Sequence, residues 1–260
     1  MKMRKLSFEV VGLGLVIVLN FVFLFEMNLL DCAQWLSALK RMVIFAGDLF
    51  PPRWDILPTV GPALWETIKI SFCGTSLGFV LSVPLAFGAT TVLFHRKIAY
   101  VIRFLLGGIR TIPSILWGVL FVVAFGFGAS AGTLGIAFYT VGYLAKLYYE
   151  AFEAVDHEVV EAVRATGCNR LQLFRFAILP ESANTIISQI FFMFEYNIRS
   201  STIMGFVGAG GIGYYLLGYL QMLQYQHLLT ALLATLLVVM MIDYLSLKLR
   251  SWVVVAVPKS

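Results

Sequence analysis

Glu195 and Arg199 are the residues in this chain whose types and spacing most directly suggest chemistry. They stand four apart with the acid first, the orientation that favours an ion pair on one helix, and both lie well inside an apolar run. Charges in such a position are costly unless paired, and they face a cavity or a bundle interior. The pair therefore reads either as an internally neutralised orienting contact or as the polar wall of a translocation path. In the second reading Asn197, Ser200, Ser201 and Thr202 add hydrogen-bond donors. Arg110 is another basic residue within an apolar run, beside Thr111 and Ser114. A guanidinium can engage two oxygens of one oxyanion, which suits transient contact with a phosphate-like group.

Catalysis finds less footing. His95, His157 and His227 are scattered at helix ends or loops, so no nucleophile–base or metal cluster forms in the sequence. Cys32, Cys73 and Cys168 have neither paired spacing nor a CxxC pattern, which predicts free thiols. The run Gly208-Ala-Gly-Gly-Ile-Gly213 has a superficial likeness to a dinucleotide loop, but no predicted strand precedes it. Gly208, Gly210, Gly211 and Gly213 read instead as a sharp backbone turn at the outer mouth of a membrane bundle.

The elements that position these residues follow from composition. Of 260 residues, 60% are hydrophobic and 13% charged, with a mean hydropathy of +0.89. A soluble domain carries about twice that charged fraction. Several apolar runs reach the roughly 20 residues that span a bilayer, so the chain reads as an all-α polytopic membrane protein. About six spans are predicted: 8–25, 67–94, 98–126, 133–155, 182–206 and 227–249. The first follows Lys2, Arg4 and Lys5 and is not a signal peptide, since no small-residue cleavage site follows it. The second carries Gly74, Gly78 and small hydroxyl residues that permit close packing, and Pro84 is placed to kink it. Between the first two spans lies an outer interfacial segment, with an amphipathic helix near 36–45 and Trp35, Trp54 and Trp65 at the interface. Three parts result: 1–65 as first span and outer segment, 66–250 as the main transmembrane domain, and 251–260 as a tail. Most of the 19 basic residues, including Lys2, Arg4, Lys5, Arg96, Lys97, Arg103, Arg164, Arg170, Arg175, Lys248, Arg250 and Lys259, fall on one side. By the positive-inside rule both termini and the segment 156–180 are cytoplasmic. The net charge of +5 thus reports topology and not nucleic-acid binding.

That segment is a polar, basic insert between apolar runs. Asp156 is placed to cap a short helix with Glu158 in its first turn, and Gly167 to end it in a left-handed conformation. Asn169 followed by Gln172 predicts a capping box opening a second helix. Leu171, Phe174 and Ile178 share one face of that helix, and Pro180 stops it or opens the next one.

Glu161, Ala162, Gly167, Leu179 and Pro180 together resemble the EAA loop of ABC-importer permeases: Glu-Ala-Ala, three residues, Gly, nine residues, Ile, any residue, Leu-Pro. The chain departs from it at Val163 and at Ala177, with Ile178 beside the isoleucine place. With the runs Arg110–Trp117 and Ile198–Gly213, the chain resembles the permease of a phosphonate-type ABC importer from about Phe50 onward. The resemblance implies a type I importer fold in the bacterial inner membrane. It also implies coupling through Glu161, Ala162, Gly167, Leu179 and Pro180 to two copies of a cytoplasmic ATPase. That partner binds ATP and Mg, since this chain has no phosphate-loop lysine motif and binds no cofactor. Further implied partners are a periplasmic or lipid-anchored solute-binding protein and a second permease chain forming a homodimer. The cargo implied is phosphonate, phosphite, hypophosphite or a phosphate ester. A methionine-type or other small-solute ABC importer permease is the alternative, and a secondary transporter, which usually has an internal repeat not seen here, a distant one.

Overall fold

In the computed structural model, which describes residues 2–255 and the side chains of 12–252, every regular element among the described residues is helical. The chain divides into two units at Pro51–Pro52. The first holds α1 (Lys2–Glu26) and α2 (Cys32–Leu49). Asp31 caps α2 by accepting from the Ala33 N–H at 2.9 Å, and the Trp35 indole donates to the Leu29 carbonyl at 2.7 Å. The helix predicted near 36–45 is thus present and longer. The side chains of Lys2, Arg4 and Lys5, and Lys259 with the end of the predicted tail, lie outside the described residues.

The second unit contains α3 (Leu57–Ala89), α4 (Arg96–Thr111), α5 (Ser114–Phe125), α6 (Ala129–Glu153), α7 (His157–Ala165), α8 (Arg170–Leu173), α9 (Leu179–Met204), α10 (Ile212–Gln221) and α11 (Tyr225–Val255). Two stretches, Trp54–Ala89 and Tyr225–Trp252, are each long and apolar enough to cross a bilayer alone. The second span begins about three turns earlier than its hydropathy suggests and runs as one helix past Pro84. The third predicted span is not one helix. Ile112 and Pro113 leave helical geometry, and α4 and α5 meet at an 86° bend. Pro113 cannot donate to the preceding turn and pushes Ile112 into extended backbone. The fifth predicted span continues through a short turn into α10, bent by 49°, an element hydropathy did not separate. The predicted tail from 251 begins within α11, which continues to Val255.

Side-chain matching fixes how the helices run. A methyl on Gly74 would lie 2.6 Å from Ile136 Cγ2, and one on Gly78 would lie 2.5 Å from Thr140 Cβ. Only glycine admits this approach, and the order of the two contacts makes α3 and α6 parallel. α9 runs antiparallel to both. Its loop end packs Phe174 edge-on against Phe152 and Phe87 at centroid distances of 5.1 and 4.9 Å. α11 runs antiparallel to α9, joined through Arg199–Asp243 and Arg250–Ser188. One end of this unit therefore gathers the α3–α4 turn, Glu153 and the insert; the other gathers Trp54, Gly128 and the glycine run. A buried cluster around Leu144, Tyr148, Phe152, Ile178, Ile186 and Met193 fills the loop half.

Candidate functional site: the insert and the buried polar centre

The insert is shaped almost wholly by neighbours in sequence. Asp156 caps α7, its carboxylate accepting from the Glu158 N–H at 3.0 Å. Gly167 takes φ +77°, a conformation that strains residues bearing a Cβ, and its N–H donates to the Arg164 carbonyl at 3.0 Å. Asn169 and Gln172 form a complete capping box at 2.8 and 2.9 Å. A π turn at Phe174–Ile178 then joins α8 directly to α9, with Pro180 in the first turn of α9. Pro180 opens a helix here and stops none.

One face of this hairpin is buried and the other is free. Val160, Leu173, Phe174, Ala177 and Ile178 are buried, with Ala177 and Ile178 side by side at the place where the loop motif has isoleucine. Leu171, predicted to share a face with Phe174 and Ile178, is exposed while those two are buried. The capping box turns the first turn of α8 outward, and Leu173 takes the inward position. Arg164 donates to the Val92 carbonyl at 3.2 Å, and Arg170 lies over the Phe94 ring. Both tie the insert to the α3–α4 turn. That turn is itself pinned, because Glu153 accepts from the Thr91 N–H and hydroxyl and from Arg103. Arg103 also donates to the Ala89 carbonyl at 2.9 Å and stacks over Tyr149. Against this braced backing, Glu161, Ala162, Gly167, Leu179 and Pro180 are all exposed. Glu161 meets only His157, at 3.4 Å, with both side chains in solvent.

The second set of predicted residues separates into wall and surface. Asn197 is fully buried; its amide donates to Thr75 at 2.8 Å and Thr140 at 2.9 Å. Its backbone carbonyl accepts from Ser71 at 3.2 Å, while its side-chain Oδ1 is buried without a partner. One residue thus bonds α9 to both α3 and α6, and Asn197 lines no opening in this chain. Ser200 shares a hydrogen bond of 2.8 Å with Ser114 at the start of α5, and Ser201 is buried. The Thr202 hydroxyl bonds back to the Ile198 carbonyl.

The predicted Glu195–Arg199 pair does not form. Arg199 reaches across to Asp243 of α11, and one Glu195 oxygen is buried without a partner. Four residues apart on one helix, the two charges compete with an acid on the neighbouring helix, and the interhelical acid wins. Asp243 carries a signal that hydropathy reading passed over: it is an acid deep within the apolar α11. The small hydroxyl residues expected to permit close packing on this span include Thr67, Ser71 and Thr75, whose i, i+4 spacing on α3 also organises hydrogen bonds. Each bonds back one turn, at 3.0, 2.8 and 2.6 Å, and Thr67 also accepts the first N–H of α10 at 2.8 Å.

Arg110 sits in the last turn of α4, partly exposed, where a methyl on Gly142 would lie 3.3 Å from its backbone nitrogen. Gly142 adjoins Tyr143, whose ring stacks on Tyr139 at 6.1 Å; Tyr139 stacks in turn on Tyr196 of α9 at 5.9 Å. At the far end Gly208, Gly210 and Gly211 have φ of 83°, 82° and 76°, and Gly213 packs against Gly205. Gly208, Gly210, Gly211 and Glu66 border a cavity of about 960 Å³.

Comparison with known proteins agrees with this geometry. Residues 78–254 match the family model described as binding-protein-dependent transport system inner membrane component. The chain is 37% identical over 86% of its length to the phosphite transport system permease protein PtxC of Stutzerimonas stutzeri, covering 82% of that protein. It is 32% identical over 95% of its length to the putative phosphite transport system permease protein HtxC of the same organism, covering 86% of it. Its fold matches an inward-facing structure of the methionine ABC transporter MetNI with a TM-score of 0.69, at 20% identity, over 77% of this chain and 99% of that one. The fold is that of type I ABC importer permeases. The chain belongs to the binding-protein-dependent transport system inner membrane component family, the multi-pass membrane subunits of ABC importers, which are not enzymes and whose ATPase is a separate subunit.

Proposed function

We propose that this chain is the channel-forming subunit of an ATP-driven importer for a phosphorus oxyanion such as phosphite or phosphonate. The observation that carries the reading is its similarity to two phosphite permeases across most of both chains. The methionine alternative rests on a lower sequence identity, 24% over 64% of this chain, and on a likeness of fold. Two copies of the chain enclose the path, two ATPase subunits holding ATP and Mg bind the exposed face of the insert, and a solute-binding protein delivers cargo at the glycine end. Closure of the ATPases pushes on Glu161, Ala162, Gly167, Leu179 and Pro180. The pinned α3–α4 turn and the continuous α8–α9 passage carry that push into the bundle.

In this reading Arg110 and the phenols of Tyr139, Tyr143 and Tyr196 offer the cargo transient positive charge and hydrogen-bond donors. Asn197, Ser200 and Ser201 brace the wall behind them. Arg199, half neutralised by Asp243, and Thr202 contribute weakly. Gly208, Gly210, Gly211 and Gly213 shape the outer gate. A path must hold its cargo loosely enough to release it, and one guanidinium among neutral phenols meets that need. The test is uptake of radiolabelled phosphite and of methionine by cells expressing the chain with its ATPase and binding protein. Phosphite uptake lost on Arg110→Gln supports the reading; methionine uptake without phosphite uptake refutes it.

A further inference from the structure

The cavity of about 960 Å³ at the glycine end carries a charge at odds with an oxyanion cargo. Glu66, in the third turn of α3, lines it together with the rings of Phe127, Phe206, Tyr214, Tyr215 and Tyr219. Glu66 is half-buried, and neither of its oxygens is closed off from solvent. Its side chain accepts no hydrogen bond and joins no ion pair among the described residues. Lys69, three residues on and within reach of such a pair on a helix, is exposed and does not form it. A methyl on Gly210 would lie 3.0 Å from Glu66 Oε1, so the glycine leaves room for the carboxylate beside the turn.

The rings around this acid are not those of a closed core. Tyr214 is exposed and stands edge-on to Tyr215 at 5.6 Å. Phe127, between Gly126 and Gly128, is exposed and fills the space that a methyl on Gly208 would need. Aromatic faces attract cations, and a carboxylate attracts them while repelling anions. Two independent features of one cavity, an unpaired acid and a set of open rings, thus select a positive group. A bare cation would occupy a small part of 960 Å³. A basic side chain with the apolar residues that flank it uses the rings as well as the charge, and the volume is that of a cleft built for an organic group.

We propose that this cavity seats a lysine or arginine side chain of the solute-binding protein, whose charge neutralises Glu66 as cargo is delivered. The assignment rests on the proposed importer function, in which that protein docks at the glycine end. Before docking, the carboxylate repels a free oxyanion from the turn at Gly208, Gly210 and Gly211. After docking, the partner's cation cancels that charge where the oxyanion enters. One acid therefore ties recognition of the binding protein to admission of its cargo.

The test uses the permease with its ATPase in nanodiscs and the solute-binding protein of the same system loaded with phosphite. Affinity is read by biolayer interferometry. Glu66→Gln weakens binding about tenfold, the loss of one charge-assisted contact, and the difference shrinks at high salt. Tyr214→Leu weakens it about threefold, whereas Tyr214→Phe, which keeps the ring face, leaves it unchanged. Asp55→Asn removes an acid at the same end but outside the cavity and leaves binding unchanged, which separates a local site from overall charge. Every variant retains its co-purifying ATPase, which separates loss of the site from loss of the fold. Unchanged affinity with Glu66→Gln, or equal losses with Glu66→Gln and Asp55→Asn, overturns the assignment. So does binding of tetramethylammonium to the permease that Glu66→Gln abolishes while the binding protein's affinity holds, since the cavity then serves a small free cation. Failure of the unmodified permease to bind any of the protein would overturn the importer reading and this assignment with it.

Discussion

The insert at 156–180 and the polar centre around Asn197 are built by opposite means. In the insert, the contacts that set its turns join residues two or three apart: Asp156 with Glu158, Gly167 with Arg164, Asn169 with Gln172. In the centre, the contacts of Asn197 with Ser71, Thr75 and Thr140 and of Arg199 with Asp243 span 126, 122, 57 and 44 residues. The surface we propose for the ATPase is thus preformed by local code, while the helices behind it are held by long-range polar bonds. A change in the insert should disturb coupling and spare the bundle, and a change in the centre should do the reverse.

The sharpest break of that contrast is overpacking in the centre. Gly78→Leu drives a side chain into Thr140 and costs about 3 kcal/mol, read as loss of monodisperse protein in detergent. Gly61→Leu, on the same helix with open space around its Cβ, leaves the yield unchanged.

The interhelical pair comes next. Arg199→Ala leaves Asp243 unpaired within an apolar helix and costs about 2 kcal/mol. The double variant Arg199→Gln/Asp243→Asn recovers most of it, in thermal melts of purified protein. Glu195→Gln stays within about 0.5 kcal/mol of the parent. A large effect of Glu195→Gln with a silent Asp243→Asn would restore the same-helix pair that spacing alone suggests.

Asn197→Leu removes two interhelical hydrogen bonds and costs about 1.5 kcal/mol, the modest scale of such bonds in membranes. It lowers the melting temperature without detaching the ATPase. The smallest effect is local. Asn169→Ala removes one half of the capping box and costs about 1 kcal/mol, seen as faster hydrogen exchange at the amides of 170–173 with the bundle amides unchanged.

The same contrast explains what was legible in the sequence. Asp156, Gly167 and the Asn169–Gln172 box were readable because caps and left-handed turns depend on residue type at fixed short spacing. The helical class and the close approach at Gly74 and Gly78 were readable from hydropathy and small-residue pattern. The partner of Arg199 was not, since an acid four residues away and an acid 44 residues away look alike until the helices are placed. The 86° break at Ile112–Pro113 was half visible: the proline marks it, but hydropathy runs through it unbroken. The bonding of Asn197 was not legible for a related reason. A polar residue in an apolar span signals function or packing equally, and its bonds to Thr75 and Thr140 become visible only once the helices are placed.

In the proposed function the ATPase acts on this chain at the exposed face of the insert. Glu161→Lys reverses a charge in full solvent, and Gly167→Val strains a left-handed turn with no neighbour within 4 Å of the added Cβ. The direct measurement is the amount of ATPase subunit that co-purifies with each variant, beside the yield and melting temperature of the permease. Loss of the ATPase and of uptake is expected with both variants, at unchanged yield and a melting temperature within a few degrees of the parent. Full ATPase retention and normal uptake by both variants would contradict it.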